Sequence, residues 1–146
     1  MLFWNLGVGW LVAGEPAKAL EYFDKAPPGN REMGRVMAFH DLGRLDEFEA
    51  EFAAMRANPE EDPEGIARIA AWTGQNDLAF EYLEYAAEKE GPRLARSVRT
   101  DLYEPIKSDP RWQAFLDRYD ATDDDFSHIR FNPILPEEVL KALERR

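Results

Sequence analysis

The chain has 146 residues, of which 45% are apolar and 12% aromatic, with a formal net charge of −11 and no cysteine. This is too apolar for a disordered chain and long enough for a domain with a real core. The missing cysteines exclude disulfides and thiolate metal sites and fit a reducing cytoplasm, while the acidic balance opposes direct contact with a nucleic-acid backbone.

No run approaches the roughly 18 apolar residues needed to span a membrane. The start, MLFWNLGVGWLVAG, is apolar like a secretory signal. It lacks the basic segment such signals carry, so it reads as mature structure. A helix is predicted from Leu2 to Ala13, with Phe3, Leu6, Gly7 and Trp10 at helical spacing and Gly14 as its stop. Pro16 opens a second helix at a first-turn position where proline is tolerated, and Ala19, Leu20, Phe23 and Ala26 form its inner stripe. Pro27, Pro28 and Gly29 break it.

A second helix pair is predicted over about 31–58. Val36, Phe39 and Leu42 precede Gly43, and Leu45, Phe48, Phe52 and Met55 follow it. A third opens at Asp62-Pro63, an N-cap and N1 pair. Its first helix carries Ile66, Ile69, Ala70 and Trp72 before Gly74, and its second carries Leu78, Ala79, Tyr82, Leu83 and Ala86. A fourth pair is degenerate. It has a short helix at 92–98, a turn-rich bend at 100–107, and a helix from Asp109-Pro110 with Trp112, Phe115, Leu116 and Tyr119 facing inward. Beyond 119 the periodicity stops. Thr122 to Asp125 has a capping-box form, 129–135 reads as extended, and Pro136 opens a last short helix. The predicted organisation is a helical repeat domain over 1–119 and a C-terminal capping tail over 120–146.

GEPAKALEYFDKA, GRLDEFEAEFAAM and GQNDLAFEYLEYA place the same glycine-led pattern roughly every 30 residues. Such a period belongs to solenoids, whose units bury their apolar faces on one another. These residues resemble the tetratricopeptide repeat. Phe3, Leu6-Gly7, Trp10, Gly14, Ala19, Phe23 and Ala26 carry nearly the whole pattern in the first pair. The third keeps Gly74, Ala79, Leu83 and Ala86, and the second has the larger Val36, Phe48 and Met55 at small-residue positions. The stretch 77–116 is similar to the closing repeat of bacterial regulatory proteins of that family. The resemblance implies an all-α fold: a right-handed α-α superhelix of three helix pairs, a degenerate fourth and a capping tail. It also implies a protein- or peptide-binding role. The first helix starts without a capping residue ahead of it, which fits the C-terminal regulatory or self-association domain of a longer signalling or transcription-regulating protein.

In that architecture the first helix of each pair lines a concave face. The expected exposed positions are Trp4, Val8, Leu11 and Val12, then Met33, Met37, His40 and Asp41, then Glu64, Arg68, Ala71 and Trp72. Trp4, Val8, Met37, His40, Arg68 and Trp72 are the expected partner-binding set, with Arg68 anchoring one acidic or carbonyl group. Val8 and Met37 stand where carboxylate-clamping relatives need polar residues, so such a clamp is not expected. An apolar groove of this kind needs cover from a partner's segment, a second copy in a homodimer, or the tail residues Phe126, Ile129, Phe131, Ile134 and Leu135.

No catalytic, metal or cofactor site is expected, and the chain is not read as an enzyme. His40 and Asp41 are neighbours whose helix positions point apart. Asp123, Asp124 and Asp125 lack the glycine and closing glutamate of a calcium loop. The carboxylates at 21, 24, 47, 49, 51, 81 and 84 fall on outward helix faces and read as solvation.

Overall fold

A computed structural model describes residues 1–91, 94, 98 and 100–119. Among the described residues the chain is all-α: seven α-helices, one 3-10 helix and no strand. The helices are α1 (Leu2–Val12), α2 (Pro16–Phe23), α3 (Asn30–Asp41), α4 (Leu45–Ala57), α5 (Pro63–Trp72), α6 (Asn76–Glu90) and α7 (Pro110–Arg118), with the 3-10 helix at Asp101–Ile106 between the last two. These helices fall into two compact units, α1 to α4 within Met1–Asn58 and α5 to α7 with the 3-10 helix within Pro59–Asn132. The tail with its capping box, acidic run and last helix lies outside the described residues. So does most of the short helix expected at 92–98, of which Leu94 and Val98 are described and buried.

The three repeat glycines act as the sequence predicts. Gly14, Gly43 and Gly74 have φ of 76°, 71° and 75°. A Cβ at Gly43 or Gly74 would meet nothing within 4 Å, so the backbone conformation rather than space selects glycine there. Each turn is closed twice from the helix just ended. In the first, Gly14 N donates to Leu11 O (2.9 Å) and Glu15 N to Trp10 O (2.9 Å). Pro16, Pro63 and Pro110 stand at helix starts, where no N–H is missed. Asp62 and Asp109 cap α5 and α7, accepting from Gly65 N (2.8 Å) and Arg111 N (3.0 Å).

In the first unit α1 packs on α2, α2 on α3, α3 on α4, and α1 also reaches α3. Phe23 at the end of α2 makes this possible. Its ring lies against Gly7 of α1 and Gly34 of α3, and a Cβ on either glycine would overlap ring carbons. Trp4 adds a tilted ring contact at 5.5 Å. Arg35 ties three helices from outside: Nη1 donates to Asp24 Oδ1 at the end of α2 (2.8 Å), and Nη2 to Glu51 Oε1 on α4 (3.0 Å). The Arg35 and Arg44 guanidinium groups stand over the Phe39 ring at 5.0 and 4.4 Å. Asp24 and Glu51 are thus cross-links, not the purely solvated charges expected. Leu45, expected inside, is 57% exposed. It sits in the first turn of α4, beyond the reach of the stripe that Phe48 and Phe52 bury.

In the second unit α5 packs on α6 and on the 3-10 helix. Ile66, Ile69, Ala70, Ala79, Leu83 and Ala86 are buried as expected. The bend expected at 100–107 is a true 3-10 helix. Thr100 caps it by accepting from Leu102 N (3.0 Å), and Leu102, Tyr103 and Ile106 face inward. Tyr103, Trp112, Phe115 and Tyr119 then form a chain of ring contacts, with centroids 5.6, 6.4 and 5.0 Å apart.

The Phe23 contact gives a direct test. Gly34→Ala is expected to lower stability in urea by about 1–2 kcal/mol, because overpacking outweighs the better helix propensity of alanine. Phe23→Ala is expected to lower it by about 3–5 kcal/mol. In the double variant the alanine at 34 should no longer harm, since the ring it struck is gone.

Candidate partner-binding surfaces

In the first unit the expected set divides. Trp4 and Val8 are half-buried on α1, and His40 is half-buried at the end of α3. Met37 is a correction: it is 0% exposed, as is Leu11, and Met33 is buried with them. The physical reason lies in α3, which contacts α1, α2 and α4 and so has partners on most of its circumference. From Met33 to Phe39, Arg35 alone reaches the surface. Being central to its unit, α3 has no free face of the kind its sequence period suggests.

His40 is also placed differently from the expectation. Its Nδ1 lies 2.9 Å from Asp41 Oδ1, and its ring meets Phe48 edge-on at 5.4 Å. Adjacent helix positions do diverge, but this pair occupies the last turn, where the short aspartate side chain can fold back to the imidazole.

In the second unit Arg68 and Trp72 are half-buried and Ala71 is buried. Arg68 does not present a free cation. Its Nη2 donates to Glu64 one turn earlier, and both side chains are largely enclosed. The Tyr103 hydroxyl, fully buried, lies in the field of this pair. Burial pushes its pKa far above the phenol range, with the nearby Arg68 charge opposing that shift. Neither the Tyr103 hydroxyl nor Arg68 Nε completes a hydrogen bond. The cation expected to anchor a guest is thus held by its own helix.

Two surface features go beyond the expected set. The first is the start of α1, where Leu2, Phe3 and Leu6 join the expected Trp4, Val8 and Val12. Met1, Leu2 and Phe3 are 80%, 67% and 40% exposed, and Trp4, Leu6, Val8 and Val12 continue half-buried along a helix without a charged residue. The apolar run was visible, but uniform apolarity gives no phase from which to tell an open side. The second is a cleft of about 410 Å³ between α6 and α7, floored by Phe80 and Phe115. Asp77 and Glu84 on α6 receive Arg111 and Arg118 from α7, each at 2.8 Å, and Tyr119 donates to Glu84 at 2.9 Å. The acids at 77, 81 and 84 and the arginines at 111 and 118 were the readable signal; the parallel register that pairs 77 with 111 and 84 with 118 was not.

Among the described residues no group of three or more histidine and carboxylate side chains could hold a metal ion. None of the described helices is long and apolar enough to cross a membrane. No protein-family model, curated protein or solved structure matches this chain.

Two expectations follow. Tyr103→Phe should leave stability unchanged or raise it by about 1 kcal/mol in urea denaturation, since it removes a buried hydroxyl without a partner. Asp109 supplies a pH signature. The Arg111 guanidinium and backbone N–H bonded to its carboxylate hold its pKa down at about 2, against an ordinary 3.8. A depressed folded value means a contribution that is complete above 3.8 and is lost as pH falls toward 2. In an acid titration followed by circular dichroism, Asp109→Asn should be less stable than the parent at pH 5, and the gap should close below about pH 2.

Proposed function

We propose that this chain is a protein-interaction module of the tetratricopeptide kind, with its helix pairs arranged as in that right-handed superhelix, and that it holds an apolar segment of a partner protein. The observation that carries this reading is the exposed apolar side of α1, a helix with no charge in a chain of net charge −11. Contiguous exposed apolar surface on a folded protein marks an interaction site. The repeat glycines, the Phe23 packing against two neighbouring helices and the hairpin order support the family reading. Burial of Met37, Met33 and Leu11 moves the proposed contact from a groove floor to Leu2, Phe3, Trp4 and Val8.

A short amphipathic peptide of leucine and glutamine, titrated into the ¹⁵N-labelled chain, should shift the amides of α1. Leu2→Glu/Phe3→Glu should weaken it by about tenfold or more, given ~1.5–3 kcal/mol for each apolar side chain that binding covers. The helical circular dichroism should be nearly unchanged, because Leu2 is 67% and Phe3 40% exposed and neither belongs to the buried core. Equal affinity of parent and variant would reject α1 as the contact.

A further inference from the structure

The cleft between α6 and α7 is an incomplete ladder of charges. On α6, Asp77, Glu81 and Glu84 follow one another at helical spacing along one face. On α7 the facing positions are Arg111, Ala114 and Arg118. The two outer rungs are closed, Arg111 to Asp77 and Arg118 to Glu84. The middle rung sets Glu81, exposed and without a cation among the described residues, in the same cleft as Ala114, which has no side chain to answer it. The floor beneath is aromatic, and the Arg111 guanidinium already stacks on Phe80 at 4.4 Å.

We infer that this cleft receives a lysine or arginine side chain from a segment of a partner protein, which supplies the missing middle rung. The volume falls within the range of about 300–1,000 Å³ typical of binding clefts, and the aliphatic stem of such a residue can lie on Ala114 and the edges of the phenyl rings while its charge reaches Glu81. Three features favour a cation over an anion or an uncharged group. The free charge in the cleft is negative. The two arginines at its ends are already neutralised by Asp77, Asp109 and Glu84. The net charge of −11 draws cationic partners toward the chain. A protein segment is favoured over a small amine because the cleft is open along the helices and its floor offers apolar contact beyond the charge. The inference concerns elements other than α1 and stands whether or not α1 binds a partner.

The test uses the full chain carrying Leu2→Glu/Phe3→Glu, so that α1 takes no part. The probe is the same amphipathic peptide with lysine in place of glutamine. The expected result is a salt-sensitive shift of the Glu81, Ala114 and Phe115 amides, absent with the glutamine peptide. Glu81→Gln should weaken binding about fivefold, the scale of one exposed ion pair. Ala114→Leu, which fills the cleft without changing charge at an exposed helical position, should weaken it at least as much. Shifts spread over the acidic surface, or equal affinity in both variants, would overturn the site. Lysine amide binding as tightly as the peptide would overturn the assignment to a protein segment.

Discussion

The first unit depends on one contact: the Phe23 ring pressed between Gly7 and Gly34. Helices approach this closely only where one side offers no side chain, because interior packing leaves no slack for even a methyl group. The ring therefore fixes how near α1 and α3 come to the end of α2. That spacing encloses α3 so fully that Met33, Val36, Met37 and Phe39 are all buried. The cradle in which an apolar guest was expected is largely core, and the apolar surface left over is on α1.

Features written within a few residues of one another were legible. The glycine turns, the prolines at helix starts, the Asp62 and Asp109 caps and the aromatic and alanine positions of α2 are where the sequence puts them, because each is decided by local backbone chemistry. The all-α class follows from the same signals. What was not legible depends on neighbours distant in sequence. Met37 is buried because α3 has three helical neighbours, which its own periodicity cannot reveal. Leu45 belongs by spacing to the α4 stripe but lies outside because that stripe begins one turn later. His40 and Asp41 meet because side-chain reach at a helix end overrides the direction of the Cβ vectors. The 3-10 helix at Asp101–Ile106 contains Pro105, whose presence reads as a bend until the buried Leu102, Tyr103 and Ile106 show it held from one side.

Charge in this chain is used unevenly. Three carboxylates that sequence assigns to solvent sit in cross-helix pairs, Asp24 and Glu51 through Arg35 and Glu84 through Arg118, and Asp77 is paired likewise through Arg111. Each such surface pair is worth only about 0–1 kcal/mol, so their main effect is on geometry. Arg35 fixes the order in which α2, α3 and α4 meet, and the arginines of α7 fix its register along α6. Among the described residues the helix with no ions at all, α1, carries more exposed large apolar side chains than any other, with Leu45 of α4 the exception elsewhere.

The pattern of contacts carries a kinetic consequence. In the first unit most touching helices are consecutive in the chain, as are α5 and α6 in the second. Closing such short loops loses little chain entropy before contacts compensate, and helical proteins built this way fold in about microseconds to milliseconds. The packing of α5 on the 3-10 helix is different, because the whole of α6 intervenes, and the pairs that join α7 to α6 also close over 34 and 35 residues. On loop-closure grounds the hairpins are therefore expected to form first, and the docking of Leu102, Tyr103 and Ile106 on α5 and of α7 on α6 to follow.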